Sequence, residues 1–525
     1  MNWKRLAINV ALAILSVCIV FGGAELLVRI FNPKKLLTYY DSQTKEKLGW
    51  PVPKKKPDEY RIFLFGESAA YGFPVSDRYS ISKWLEKDFS YLLPEKRVRV
   101  INCGWVGKSS HEISEGGRLV TKYQPDLFVF YAGNNEAFTS NRLFLDNHLY
   151  HLNLILYYRS YFYRWIEVRI NRLRKHLLYG HSGHVEKEYR NETIANIVYK
   201  QANVTDLEYE RILKRYHDNM TGVVKYAKKK GVDVLFITLP SNVRDIRPLL
   251  SEHRTDLKES ELNKWNQFYS AGKNLQEKGE MAEALSFYEK AAAIDSHYAE
   301  LQFRLGQVCE KMGKFGEAKQ AYIRTRDFDR QPWRATTKIN EAIRKIAESE
   351  GVMFVDIVRL FETKSAHGIV SSDLVFDNVH PSITGQQLIA DAIAKALDEH
   401  HKISTEKWQW SNLEKSRANY PAEWRVDGAL TAYKPILTGV ISWEGKHYED
   451  AVAELEAGLS LMPDFIEIYA FLGDSYWHIG QREKAAQVFQ KFKEKNSAVF
   501  EFMMKKYPDV QQVYSEATKI RQSPV

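Results

Sequence analysis

Five short apolar runs, each flanked by segments with a helix-like pattern, are the feature that most constrains the fold of this chain. They lie at 60–65, 98–102, 126–131, 232–239 and 353–358. Runs this rich in Val, Ile and Phe are typical of strands that are buried on both faces of a sheet. Strands that alternate with helices favour a parallel sheet covered by helices. The pattern therefore predicts an α/β domain.

An internal repeat of 34 residues lies between the fourth and fifth runs, and a second pair with the same offset lies near the C-terminus. The matched positions are Gly272, Gly279, Ala284 and Tyr288 with Gly306, Gly313, Ala318 and Tyr322, and Gly439, Ala451 and Leu455 with Gly473, Ala485 and Phe489. This pattern resembles the tetratricopeptide repeat. The alternative is two ordinary helical hairpins, which the shared offset in two separate places disfavours. Two repeats are few for a stable array, so the pairs either stack on each other or pack on the α/β core.

The N-terminus contains a long apolar segment. Residues 6–24 are apolar except for Asn9 and Ser16, and the segment is long enough for a helix that spans a bilayer. A cleaved signal peptide is the alternative, because Gly22, Gly23 and Ala24 are small. We favour an uncleaved anchor, because the run is long for a signal peptide and resumes after Glu25.

A further stretch, 154–175, mixes aromatic and basic residues, which fits a membrane-surface helix, a lid or a helix packed on the core.

Charge and cysteine content exclude several classes of protein. The net charge of +9 is spread over 525 residues, which is too dilute to indicate nucleic-acid binding. The three cysteines are far apart, and no cluster of Cys and His has the spacing of a metal site. We therefore expect no nucleic-acid partner, no metal and no cofactor.

Four polar motifs follow the apolar runs or lie near the end of the α/β portion. They are GES at 66–68, NCGWVG at 102–107, GNNE at 133–136 and DNVHP at 377–381. Parallel sheets place their active sites beyond the carboxyl ends of their strands. Each motif alone is weak, because Gly, Ser and Asn are common in turns. Together and in this order they resemble the four blocks of the SGNH (GDSL-like) hydrolases, over about residues 58–245 and 333–400.

The resemblance implies a flavodoxin-like, three-layer α/β/α domain and a set of catalytic residues. By position in the motifs, Ser68 matches the nucleophile, and Asp377 and His380 match the other members of the triad. The oxyanion hole would be formed by Ser68, Gly107 and Asn135.

The residue types suit this chemistry. A serine hydroxyl needs a base to remove its proton, and a carboxylate on the far side of the histidine fixes its tautomer. Simpler explanations exist for single residues, since Asn135 could satisfy a turn and Asp377 could cap a helix that begins near Pro381. Glu67 and Glu136 stand where the family more often has Asp, which could alter how the loops are held.

These observations predict six segments. They are an anchor or signal segment at 1–31, a linker at 32–57, the hydrolase domain at 58–245 and 333–400, inserted repeats at 246–332 and C-terminal repeats at 401–525. We expect a single-pass membrane protein whose hydrolase domain faces away from the cytoplasm, although the basic residues on the two sides of the span are nearly balanced.

The resemblance suggests an ester of a carbohydrate or lipid as the substrate, cleaved through an acyl-serine intermediate. The alternatives are an O-acyltransferase that uses the same triad, or an inactive scaffold whose repeats bind a partner protein.

Overall fold

The structure, a computed structural model, describes residues 21–27, 54–73, 80–138, 203–403, 407–417, 428–463 and 465–522, with single positions between 156 and 170. The chain divides into two compact units, one of residues 1–53 and 143–191 and one of residues 54–142 and 192–525.

The described part of the first unit is small. Residues 21–27 are helical, and the Glu25 carboxylate accepts hydrogen bonds from Ser160 Oγ at 2.9 Å and from the Phe162 amide at 2.8 Å. Most of the predicted span at 6–24 and of the aromatic and basic stretch at 154–175 lies outside the described residues. Within the described ranges, no helix has both the length and the apolar character needed to cross a bilayer.

The second unit contains a five-stranded parallel sheet, as the apolar runs predicted. Its strands are β1 (Glu59–Gly66), β2 (Arg97–Gly104), β3 (Leu127–Tyr131), β4 (Asp233–Ile237) and β5 (Met353–Val355). The spatial order is β2-β1-β3-β4-β5, and all neighbours are parallel. This is the flavodoxin-like order, in which β2 lies on one side of β1 and the chain then crosses to the other side to form β3, β4 and β5. The predicted fold class is confirmed for the α/β domain.

The helices follow in chain order. They are α1 (Ser68–Tyr71), α2 (Ile81–Leu92), α3 (Ser110–Val120), α4 (Asp206–Lys229), α5 (Glu259–Lys278), α6 (Met281–Ile294), α7 (Ala299–Lys311), α8 (Phe315–Phe328), α9 (Thr337–Glu350), α10 (Ile357–Lys364), α11 (Ile383–Glu399), α12 (Trp410–Arg417), α13 (Gly428–Glu444), α14 (Tyr448–Leu461), α15 (Ile468–His478), α16 (Arg482–Lys495), α17 (Ser497–Lys506) and α18 (Pro508–Gln522). One layer of the sandwich contains α3, α4 and α9, and the other contains α2 and α11.

An aromatic ladder holds the centre of the sheet together. Phe65 on β1, Phe130 on β3 and Phe236 on β4 stack with ring centroids 5.3 Å apart between neighbours. All three are at most 1% exposed. Gly117 of α3 lies over this face, where a Cβ would be 3.9 Å from the Phe130 ring. Cross-strand aromatic pairs of this kind stabilise a sheet, and they fix the register of the strands whose ends carry the polar motifs.

The two repeat pairs are helical hairpins, as the 34-residue offset predicted. The first comprises α5–α8, inserted between β4 and β5, and the second comprises α13–α16. A Cβ at Gly272 would lie 2.8 Å from the Tyr288 ring, and a Cβ at Gly306 would lie 2.6 Å from the equivalent Tyr322 ring. The repeated glycines therefore allow the two helices of each hairpin to approach closely.

Both repeat pairs contact the segment between β4 and α5. The Arg247 guanidinium lies 3.9 Å from the Glu300 carboxylate in the inserted pair and 3.0 Å from Asp450 in the C-terminal pair. The His447 imidazole Nε2–H donates to the Pro248 carbonyl at 3.1 Å. Both pairs thus contact the segment that leads from β4 into the inserted repeats.

Candidate active site

The turn after β1 places Ser68 at the carboxyl edge of the sheet. Ser68 is the first residue of α1. A Cβ at Gly66 would overlap the carbonyl oxygen of Tyr131 on β3, and a Cβ at Gly104 would overlap the backbone of Tyr71. Glycine at both positions lets α1 lie directly against the neighbouring strands. Ser68 is 9% exposed.

The second motif braces this turn from the side. The Asn102 side-chain amide donates to the Tyr71 carbonyl at 3.2 Å, and its oxygen accepts from the Gly104 amide at 2.8 Å. The Trp105 amide donates to the Gly66 carbonyl at 2.9 Å. Asn102, the first residue of the second motif, therefore holds the C-terminal end of α1. This role was not predicted from the sequence.

Asp377 and His380 form a buried hydrogen-bonded pair. The distance from Nδ1 of His380 to Oδ2 of Asp377 is 2.6 Å. Oδ1 of Asp377 accepts from the amides of Val379 at 2.9 Å and His380 at 2.8 Å. A carboxylate oxygen accepts this hydrogen bond, so Nδ1 is the donor, and in the neutral imidazole Nε2 then carries the lone pair. This is the tautomer that a general base requires.

The helix that follows is not capped by Asp377. It begins at Ile383, and the Ser382 hydroxyl accepts from the Gly385 amide as its N-cap. The capping explanation for Asp377 is therefore wrong, because its carboxylate is used within the loop that carries His380. The Cys103 thiol at the end of β2 is buried, and burial raises its pKa, which opposes formation of the thiolate.

His380 lies beside the turn that carries Ser68. The Phe73 ring centroid is 4.9 Å from that of His380, and the Phe73 amide donates to the Ser68 carbonyl at 3.1 Å. Phe376 covers the imidazole at 5.8 Å. Within the described part of the chain, His380 Nε2 is buried and has no hydrogen-bond partner. The Ser68 hydroxyl is therefore not hydrogen-bonded to it, and catalytic hydrogen bonds often tighten only when substrate binds.

Gly107 and Asn135 belong to two loops that touch. The Asn135 side-chain amide donates to the Lys108 carbonyl, next to Gly107, at 3.1 Å. Gly107 has a φ of +73°, and no atom lies within 4 Å of where its Cβ would be. Its conformation favours glycine, and the space beside it is open among the described residues. The roles of Ser68, Asp377, His380, Gly107 and Asn135 stay predictions.

Two buried glutamates connect the loops of the site. The Glu67 carboxyl oxygen Oε1 accepts from the amides of Gly133 at 2.6 Å and Asn134 at 3.1 Å. Glu136 accepts from the Ser110 amide at 2.5 Å and from the Ser110 hydroxyl at 2.9 Å. From the sequence, both residues stand out only because the resembling family more often has Asp at these positions. A fully buried acid in a turn between apolar strands is the signal that points to such a role.

The segment that leaves the inserted repeats also reaches the site. The Ala335 amide donates to the Asn134 side-chain oxygen at 3.1 Å, and the Trp333 carbonyl accepts from the Asn378 side chain at 2.8 Å. The Arg334 guanidinium, which is 4% exposed, donates to the Asn242 carbonyl at 2.5 Å. The segment between α8 and α9, which follows the inserted repeats, is thus bonded to the third and fourth motif loops.

Comparison with known proteins identifies the repeats. Tetratricopeptide-repeat family models match residues 275–337 and 466–494, which confirms the interpretation of the 34-residue offset. A search of curated protein sequences found no significant match.

Solved structures similar to this chain include lipases and esterases. A lipase/acylhydrolase from Enterococcus faecalis is 11% identical, covers 65% of this chain and 96% of its own, and has a TM-score of 0.30. A GDSL-like lipase from Bacteroides thetaiotaomicron is 10% identical, with 69% and 98% covered and a TM-score of 0.30. An acetylxylan esterase from Geobacillus stearothermophilus is 12% identical, with 66% and 95% covered and a TM-score of 0.28. At this level of likeness, the site geometry alone bears on function.

Proposed function

We propose that this protein is an SGNH-type serine hydrolase that cleaves an ester through an acyl-Ser68 intermediate. The observation that carries the proposal is the Asp377–His380 hydrogen bond of 2.6 Å, with a buried Nε2 that has no partner among the described residues. A buried imidazole held in this tautomer suits a general base. The serine motif follows β1 at the sheet edge where such sites occur.

In the proposed reaction, Ser68 Oγ attacks the ester carbonyl carbon while its proton passes to His380 Nε2. The carbonyl electron pair moves onto oxygen, and the amides of Ser68 and Gly107 and the Asn135 side chain donate to this oxyanion. When the intermediate collapses, the alcohol leaves with the proton from His380. Water then attacks the carbonyl carbon of the acyl-serine while its proton passes to His380. When this second intermediate collapses, the proton returns to Ser68 Oγ, which releases the acid and restores Ser68.

Intact-protein mass spectrometry after treatment with a fluorophosphonate tests this proposal. The wild type should gain one phosphonyl group, and Ser68→Ala should gain none and should not hydrolyse a small ester. Ser286→Ala, an exposed serine on α6, is the matched control and should behave as the wild type. Full ester hydrolysis by Ser68→Ala would exclude the serine mechanism, whereas an unlabelled, inactive wild type would favour a repeat-bearing scaffold.

The acyl group could pass to a hydroxyl instead of water, because the first half of the reaction is the same. Product analysis with a carbohydrate acceptor separates a transferase from a hydrolase.

We propose an O-acyl carbohydrate or a lipid ester as the substrate, a membrane anchor at 1–31 and a protein partner for the repeats. The helical hairpins of the two repeat pairs support the last of these, since arrays of this kind form extended binding surfaces.

A further inference from the structure

Glu67 joins the nucleophile turn to the third motif loop. It directly precedes Ser68, is 0% exposed, and bonds through Oε1 to the amides of Gly133 and Asn134. Its other oxygen, Oε2, has no hydrogen-bond partner among the described residues. One carboxyl oxygen therefore determines where the backbone before Asn135 lies relative to Ser68.

Glu136 joins the third motif loop to the second. It directly follows Asn135, is 2% exposed, and bonds through both oxygens to Ser110 at the start of α3. The Arg215 guanidinium of α4 lies 3.5 Å from its Oε2 and donates to its backbone carbonyl at 3.0 Å. Ser110 closely follows Gly107 in the chain, so Glu136 connects Asn135 to the loop of Gly107.

The two carboxyls share one buried region. Burial, with a smaller contribution from the nearby Glu136, raises the pKa of Glu67 to about 8, while the three amides of the third loop oppose the shift. Burial also raises the pKa of Glu136, against the attraction of Arg215 and the bonds from Ser110. The other ionisable groups that face this region are Glu112 of α3, Tyr131 of β3, and Tyr209 and Tyr216 of α4. Two charged carboxylates here would repel each other.

We propose that Glu67 and Glu136 are positioning residues that together hold the Asn135 amide in line with the backbone amides of Ser68 and Gly107. This inference rests on the proposed function, because it assigns the pair an effect on the oxyanion donors. The bonds pass in sequence from the Ser68 turn through Glu67 to the Asn135 loop, and through Glu136 to the Gly107 loop. Donors that are fixed before the reaction stabilise an oxyanion best.

A double-mutant cycle tests the proposal. Glu67→Asp shortens the side chain by one methylene and should lower kcat about tenfold with little change in KM, since it affects a transition-state contact. In the Asn135→Ala variant, Glu67→Asp should lower kcat by less than about twofold, because the effects of substituting two residues that act through one another are not additive. Glu348→Asp, an exposed glutamate of α9, is the matched control and should have no effect in either background.

Equal losses in both backgrounds would overturn the proposal, and so would wild-type kcat in Glu67→Asp. If circular dichroism shows that Glu67→Asp is unfolded, the same cycle with Glu136→Gln decides the question by the same criterion. Fluorophosphonate labelling of the wild type is measured in parallel. Labelling at Ser68 together with additive losses rejects only the positioning role, whereas no labelling rejects the proposed function.

The pH profile gives a second readout that a purely structural role would not change. In the wild type, kcat should fall as pH rises through about 8, because Glu67 ionises beside Glu136. Glu67→Gln keeps an oxygen for the Gly133 and Asn134 amides and cannot ionise, so its profile should lack this fall. Identical profiles for the two proteins would contradict the proposal.

Discussion

The side-chain amide of Asn378 donates a 2.8 Å hydrogen bond to the carbonyl oxygen of Trp333. This bond joins the loop of the Asp377–His380 pair to the segment through which the chain leaves the inserted repeats. Asn378 is 8% exposed and Trp333 is 6% exposed. The segment that follows the inserted repeats is thus bonded directly to the loop of the candidate site.

Asn378→Ala should therefore affect both stability and catalysis. An unpaired buried carbonyl costs about 1–3 kcal/mol, and the loop that carries His380 loses one of its bonds. We expect a lower urea midpoint and a lower kcat for a small ester, with KM little changed. Asn266→Ala, an exposed residue of α5, is the control. Unchanged stability and kcat in Asn378→Ala would show that the bond to Trp333 has no effect on the loop.

Asn135→Ala should keep the nucleophile and remove one proposed oxyanion donor. The expected loss in kcat is about 100- to 1,000-fold, as measured for a donor of this kind. Steady-state kinetics with a small ester check this, with Asn263→Ala on the exposed face of α5 as the control. A loss of less than about threefold, far below that range, would remove Asn135 from the oxyanion hole.

Gly306→Ala should destabilise the inserted repeats, because its Cβ would lie 2.6 Å from the ring of the buried Tyr322. Overpacking of this kind costs about 1–3 kcal/mol. Gly316→Ala in the adjacent helix meets nothing within 4 Å and should instead stabilise by about 0.5–1 kcal/mol, since alanine favours helix. Urea denaturation of the two variants should give shifts of opposite sign, and a stabilised Gly306→Ala would contradict the packing.

Glu67 should make the stability of the fold depend on pH. Its pKa is about 8 in the folded protein against an ordinary value of 4.5, so the folded state holds one proton more between these values. Stability from this group is therefore complete below about pH 4.5 and is lost as pH rises towards about 8. The free energy of unfolding of the wild type relative to Glu67→Gln should decrease over this interval in urea titrations. A constant difference would show that Glu67 is charged at neutral pH.

The proposed orientation can be tested in cells. Lys4 and Arg5 precede the apolar segment, and we expect the hydrolase domain to lie outside the cytoplasm. Protease added to intact cells or spheroplasts should digest this domain while a cytoplasmic marker stays intact. Protection of the domain until lysis would place it on the cytoplasmic side.

The strands and repeats could be predicted from sequence because they depend on local pattern. A strand buried on both faces needs a near-continuous apolar run, as in 60–65, whatever its neighbours are. Close helix crossings need small residues at fixed intervals, which Gly272 and Gly306 supply. The pairing of Asp377 with His380 was also predictable, since residues three apart in one loop can meet through a few backbone bonds.

The tertiary structure alone decided which loops meet. The order of the strands brings Glu67 to Gly133, 66 residues away, and Glu136 to Ser110. Nothing local to these glutamates specifies their partners, because each bond depends on how separate strand ends assemble at one edge of the sheet. The bond between Trp333 and Asn378 likewise joins residues 45 positions apart in the chain. Local patterns in the chain specify the elements and the candidate chemical groups, whereas their geometry depends on contacts between residues that are distant in sequence.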